Sequence, residues 1–135
     1  MSKKDTYKQQ NEQFIADKLN ESSVLTLRGG VLYEVIEAGD EDAHQPGPRS
    51  IVTCHYKGST INGKVFDETF CSGCPAAFRV NELISGFQIA LVNMHVGDHW
   101  RVFIPSEMGY GNRGAGRDIP GNSTLIFEIK LISIG

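Results

Sequence analysis

The sequence is short of several things, and each shortage removes a class of function. Its three cysteines, Cys54, Cys71 and Cys74, are too few, and odd in number, to make a disulfide framework. No apolar run approaches the ~20 residues a membrane-spanning helix requires. The opening MSKKDTYKQQ carries Lys3 and Lys4 but no apolar stretch of a secretory signal, so the expected location is the cytoplasm, with no membrane association. There is no basic excess: 13 Lys and Arg face 16 Asp and Glu, a net charge of -3, so no positive field exists to neutralise phosphates and nucleic acid is not the expected partner. The glycine-rich stretch near the C-terminus opens no helix and lacks G-K-[ST], which excludes a phosphate loop. His44, His55, His95 and His99 show no metal-ligand spacing, and no Ser-His-Asp set can be argued from their order.

What the chain does have is glycine, 15 in 135 residues, as expected of an antiparallel β-rich fold with many tight turns. A length of 135 residues suits one domain plus a short extension and is enough to bury a real core. Residues 5–20 read as an amphipathic helix whose thin apolar stripe is Phe14, Ile15 and Leu19, able to dock on the domain or on a second copy. A short strand, Val24 to Leu27, and a Gly29-Gly30 turn follow. Val31–Glu37 and Ile51–Tyr56 read as strands, and alternation puts Val52, Cys54 and Tyr56 on one buried face. Asn62-Gly63 is the strongest hairpin signal and leaves Phe66 and Asp67 just past the turn. Phe70–Ala76 is an irregular loop, Ala77–Val80 a short strand.

The run Asn81–Met94, NELISGFQIALVNM, is the centre of the fold. Ile84, Phe87, Leu91 and Met94 fall three to four apart and share a helical face. Ser85 is the expected N-cap, with Gln88 completing a capping box, and Gly97 the expected stop. The other sides of this helix are apolar too, so it should be embedded in the surrounding sheet. His99–Ile104 alternates as a strand with Trp100, Val102 and Ile104 inward. Residues 106–122 form a long glycine-rich loop, of a length usually reserved for function. Ser123–Ile134 is the last strand, with Leu125, Phe127, Ile129 and Leu131 on one side. The expected fold class is α+β: a twisted antiparallel β-sheet wrapped around one short α-helix, plus an N-terminal helix. A cavity is expected where Ile84 and Phe87 meet the sheet.

Two groups of residues are candidates for chemistry. Cys71-Ser72-Gly73-Cys74 is a C-x-x-C motif, but it lies in a loop between antiparallel strands and is followed by Pro75, unlike a thioredoxin-type site; a structural role, a redox switch and half a metal clip all stay open. The second group is Tyr56, Phe66, Asp67, Phe87, Tyr110 and Phe127. Aromatics in a sheet are ordinarily core. Asp67 and Tyr110, however, are polar in apolar company, and an aromatic pocket with a few convergent polar groups has the character of a ligand site.

The same residues carry a resemblance. V-x-x-x-Y-x-G (Val52 to Gly58), N-G-K-V-F-D (Asn62 to Asp67), L-I-S-G-F (Leu83 to Phe87), M-x-V-G-D (Met94 to Asp98), I-P-S-E-M-G-Y-G (Ile104 to Gly111) and I-P-x-x-S-T-L-I-F-E-I-x-L (Ile119 to Leu131) occur in order. Over residues 30–134 the chain resembles the FKBP-type peptidyl-prolyl cis-trans isomerases, most closely bacterial members with a helical N-terminal extension. The resemblance implies a division into an N-terminal extension, residues 1–29, and an isomerase domain, residues 30–135. It implies proline-containing polypeptides as substrates, macrolides as further ligands, and no cofactor or metal; a homodimer through the N-terminal helix is one assembly that the stripe on residues 5–20 allows. Phe87 would take the floor position under the proline ring, where the family usually has Trp. Tyr56, Phe66, Ile84 and Phe127 would be walls, Leu83 and Ile119 edges, and Asp67 and Tyr110 the polar positions, the Tyr110 hydroxyl and the Ile84 N–H binding ligand carbonyls.

Four positions depart from the pattern: Ala76 replaces a wall Phe, Ser72 stands near where an Arg often pairs with the Asp, Asp118 replaces an apolar residue and Gly121 a second proline. The smaller floor and missing wall imply a roomier pocket. The alternative expectation is a chaperone or peptide-binding module of the same fold with weak turnover, redox-modulated through Cys71 and Cys74.

Overall fold

A computed structural model describes residues 2–135. Helix α1 (Lys3–Leu19) begins at Ser2, whose hydroxyl accepts the Asp5 N–H at 3.1 Å and so supplies one of the acceptors a helix start lacks. Its inward stripe is Tyr7, Asn11, Phe14, Ile15 and Lys18, spaced at helical intervals. Leu19, expected on that stripe, points outward and is 55% exposed. Phe14 packs tilted on Phe103 with ring centres 5.9 Å apart, and the Lys18 ammonium sits 5.1 Å from the Phe103 ring and 5.5 Å from that of Phe14, closing the contact from above.

The sheet is built from β1 (Leu25–Thr26), β2 (Leu32–Glu37), β3 (Ile51–Ser59), β4 (Val65–Glu68), β5 (Ala76–Arg79), β6 (His99–Ile104) and β7 (Leu125–Ile134). Every pairing is antiparallel, in the order β1-β2-β6-β7-β3-β4, with β5 also on β3. This is the expected α+β architecture. Period-two alternation sorts the faces: Val52 and Cys54 on β3, Trp100, Val102 and Ile104 on β6, and Leu125, Phe127, Ile129 and Leu131 on β7 all point to one buried side. Helix α2 (Ser85–Asn93) lies in that concavity and contributes Phe87, Ala90 and Leu91, with Met94 just beyond its end. Its backbone lies close on β6: a Cβ added to Gly86 would come within 2.4 Å of Ile104 Cγ2. The opposite face of the sheet buries Leu32 and Phe103, adjacent in register.

The ends of α2 differ from expectation. Ile84, extended at φ -60° and ψ 152°, occupies the N-cap and makes no side-chain capping bond; Ser85 is already helical. Gln88 reaches back all the same, its Nε2 donating to the Leu83 carbonyl at 2.5 Å. At the far end the helix stops at Met94, which turns extended to bury its side chain completely, three residues before Gly97. The Asn62-Gly63 turn joins β3 to β4, with Gly63 at φ +82°, a conformation that costs glycine no Cβ clash.

Candidate functional site

The site follows from how one strand edge is shared. The outer edge of β3 is covered twice: its first half, Ile51 to Cys54, pairs with β5, and its second half, Lys57 to Ser59, with β4. Tyr56 lies at the break between them. There the Thr69 side chain completes the ladder, its Oγ1 accepting the Tyr56 N–H at 2.9 Å while the Thr69 N–H donates to the Tyr56 carbonyl at 2.9 Å. Thr69 is buried, so it fixes the backbone that carries the Tyr56 ring. Thr69→Val keeps the shape and removes the acceptor; it should destabilise the fold by about 1–3 kcal/mol, the cost of an unpaired buried N–H, as a lower midpoint in urea unfolding.

The break opens into a cavity of about 330 Å³. β3 supplies Tyr56, β4 Phe66 and Asp67, β5 Phe78, the turn before α2 Glu82, Leu83 and Ile84, α2 Phe87, the long loop Tyr110, and β7 Phe127. Phe87 and Phe127 lie deepest, each 4% exposed, 5.1 Å apart and inclined at 71°. Phe66 meets Phe127 edge-on at 5.6 Å, and Tyr56 meets Phe87 at 6.1 Å and 81°. These are the edge-to-face arrangements that aromatic quadrupoles favour, so the rings hold one another in place. Gly58 makes the arrangement possible: a Cβ there would lie 2.6 Å from both Phe66 Cζ and Phe127 Cε1.

The polar groups stand at the edges. The Tyr56 hydroxyl donates to Asp67 Oδ2. Burial, and then the hydrogen bond to Asp67, push the Tyr56 phenol well above its ordinary value, so it remains a neutral donor. Asp67 is exposed and its partner is this phenol; Ser72 instead donates to the Thr69 carbonyl at 2.8 Å. Tyr110 is 40% exposed. Lys64 in the hairpin and Asp118 in the long loop pair at 2.9 Å across the surface, both more than half exposed, a contact of little energy.

All the sequence-selected residues except Ile119 line this one cavity. Ile119 is buried in the core, 6% exposed, and pairs with Ala115 in an isolated two-residue bridge; it is not among the residues that line the cavity. Sequence reasoning missed Phe78 and Glu82. Phe78 was within reach: it follows Ala76 by two residues and shares its face, opposite the buried Val52, so an aromatic wall stands two residues from where it was looked for.

Two of the three cysteines sit where the thiolate is disfavoured. Burial pushes the Cys54 thiol up to about 12. Cys71 is exposed and free, and its hydrogen bond to Glu68 raises its thiol too, which lowers the thiolate population that redox chemistry uses. Among the described residues no group of three or more His, Cys, Asp or Glu side chains is placed to hold a metal.

Comparison with known proteins agrees with this geometry. Residues 42–132 match the model of the FKBP-type peptidyl-prolyl cis-trans isomerase domain. The chain is 39% identical over 127 residues to the outer membrane protein MIP of Legionella longbeachae, covering 94% of this chain and 54% of that one. It is 38% identical over 122 residues to the FKBP-type 22 kDa peptidyl-prolyl cis-trans isomerase of Escherichia coli, 90% of this chain and 58% of that one. It thus spans about half the length of the curated relatives it matches. A solved peptidyl-prolyl cis-trans isomerase from Pseudomonas syringae pv. tomato superposes with a TM-score of 0.90 at 32% identity, covering 100% of this chain and 98% of that one. With a family model matched over residues 42–132 and a solved isomerase superposing over the whole chain, the chain belongs to the FKBP-type peptidyl-prolyl cis-trans isomerase family.

Proposed function

We propose that this chain accelerates cis-trans rotation about X-Pro bonds in proline-containing polypeptides. The observation that carries the reading is the convergence of Tyr56, Phe66, Phe78, Phe87 and Phe127 on one cavity with its polar groups confined to the rim. An X-Pro bond prefers trans only weakly, yet rotation faces a barrier of ~18–20 kcal/mol because the planar amide is resonance-stabilised. No bond need break. Twisting the amide removes the resonance, so the carbonyl loses dipole. A cavity that excludes water therefore disfavours the planar, polar isomers more than the twisted form, which is the differential binding that speeds a reaction. Phe87 and Phe127 form the floor under the proline ring. Tyr56, held by Asp67, and Phe66 close the sides. The Tyr110 hydroxyl and the Ile84 N–H hold substrate carbonyls, which fixes the chain on one side of the rotating bond while the other turns. A macrolide would occupy the same cavity and compete with peptide.

The test is exchange of a short X-Pro peptide, followed with and without the protein. Uncatalysed exchange takes ~10–100 s at 25 °C. A rate that rises in proportion to protein concentration and falls when a macrolide is added is the expected result; exchange at the uncatalysed rate overturns the reading.

A further inference from the structure

Helix α1 is polar and mostly exposed, yet Asn11 on it is 2% exposed. An amide is buried only if its hydrogen bonds are met, and here they are met by the end of the long loop and by α1 itself. Asn11 Oδ1 accepts the Thr124 N–H at 2.7 Å, while its Nδ2 donates to the Tyr7 carbonyl at 2.8 Å, so both ends of the amide are committed. One turn earlier the Tyr7 hydroxyl meets Ser123 Oγ at 2.8 Å, and Ser123 Oγ donates to the Pro120 carbonyl at 2.6 Å; Tyr7 is therefore the donor.

The segment so gripped is tied directly to the cavity. The Asn122 N–H donates to the Gly111 carbonyl at 2.9 Å, and the Gly111 N–H to the Ser106 carbonyl at 2.8 Å. Asn122 holds φ +66°, the one non-glycine residue with positive φ among those described, which the surrounding bonds must sustain. A Cβ at Gly121 would stand 2.1 Å from the Asn112 carbonyl oxygen, so the closing limb of the loop lies in close contact with the limb that carries Tyr110. We propose that Tyr7 and Asn11 are positioning residues: from the N-terminal helix they clamp the closing limb of the 106–124 loop and thereby set Tyr110 against the cavity. The helix does not depend on the clamp for its own docking, because Phe14 and Lys18 hold it to Phe103 independently.

The proposal rests on the isomerase reading for its kinetic consequence but not for its structural one, and the experiment separates the two. Tyr7→Phe removes a single hydroxyl and will not unfold the chain; Asn11→Ala removes the acceptor for Thr124. Each is made alone and combined with Tyr110→Phe. Backbone hydrogen exchange across residues 109–124 is read first and requires no activity: faster exchange in both variants, with α1 itself still protected, is expected, and unchanged exchange overturns the clamp. Peptide isomerisation is read second. Each variant should lower kcat/KM by roughly three- to tenfold in the parent, and by less than about twofold when Tyr110 is already Phe, because both act through the same group. Equal losses on both backgrounds would mean that α1 merely stabilises the fold, and would sink the positioning role. A parent protein without isomerase activity would instead remove the isomerase reading and leave the clamp to be judged by exchange alone.

Discussion

Phe87→Ala should lower kcat/KM on an X-Pro peptide about 30-fold. The ring lies between Tyr56, Phe78 and Phe127, and its exposed edge forms the cavity floor. Removing it takes away on the order of 80 Å² of apolar contact for a bound proline, worth about 2 kcal/mol at ~25 cal/mol per Å², and each ~1.4 kcal/mol is a factor of ten in rate. Water also enters the space, so the planar amide loses its disadvantage. The same truncation should cost the fold about 3–5 kcal/mol, as large-to-small changes in cores do. The assay is therefore run on protein shown by urea unfolding to be native, and Phe87→Leu, which keeps most of the volume, should fall between the two. Unchanged turnover in folded Phe87→Ala would contradict the role given to the floor.

Gly58→Ala should lower kcat/KM about tenfold by the opposite route, adding atoms where there is no room. The new methyl would overlap both Phe66 and Phe127, at 2.6 Å from each. Neither ring can retreat freely, since Phe127 is packed on Phe87 and Phe66 on Phe127. The rings must swing into the cavity or the β3–β4 pairing must open, at ~1–3 kcal/mol for an overpacked site. The measurement that separates this from general destabilisation is macrolide or peptide affinity alongside the urea midpoint. A tenfold weaker affinity with a modest midpoint shift is expected, and unaltered affinity would show that the rings had another way to yield.

Much of the architecture was legible in local pattern. His99–Ile104 emerged as a strand with its inward set of Trp100, Val102 and Ile104, because a half-buried strand writes its faces in every second residue. Tyr56, Phe87 and Phe127 were legible for the same reason, each lying on a strand or helix face that periodicity identifies, whereas Phe66 past the hairpin turn and Tyr110 on the long loop rested on the family resemblance. What was not legible depended on long-range register. Alternation puts Phe78 on the same face as Ala76, but that this face meets the cavity is decided by the pairing of β5 with β3, which sets Phe78 opposite Val52. Ile119 sits in the long loop, bridged to Ala115 and packed in the core rather than lining the cavity, and loop geometry of that kind has no period to read. Ser85 resembled a cap by residue type, but Ile84 takes that place in extended form, where it also lines the cavity. Propensity yielded there to the demand of the site.

The divided edge of β3 has one more effect. A protein that handles unstructured chains risks having them add to its own sheet as an extra strand. Here the outermost positions on that side are two four-residue pieces, β4 and β5, separated by the Thr69 break. On the other side β1 is two residues long, and the rest of β2 is offset by a register shift between Val35 and Glu37 and carries Glu34 and Glu37. Neither border offers a straight ribbon of unpaired amides, so an extended chain held at the rings would find no edge on which to add as a further strand.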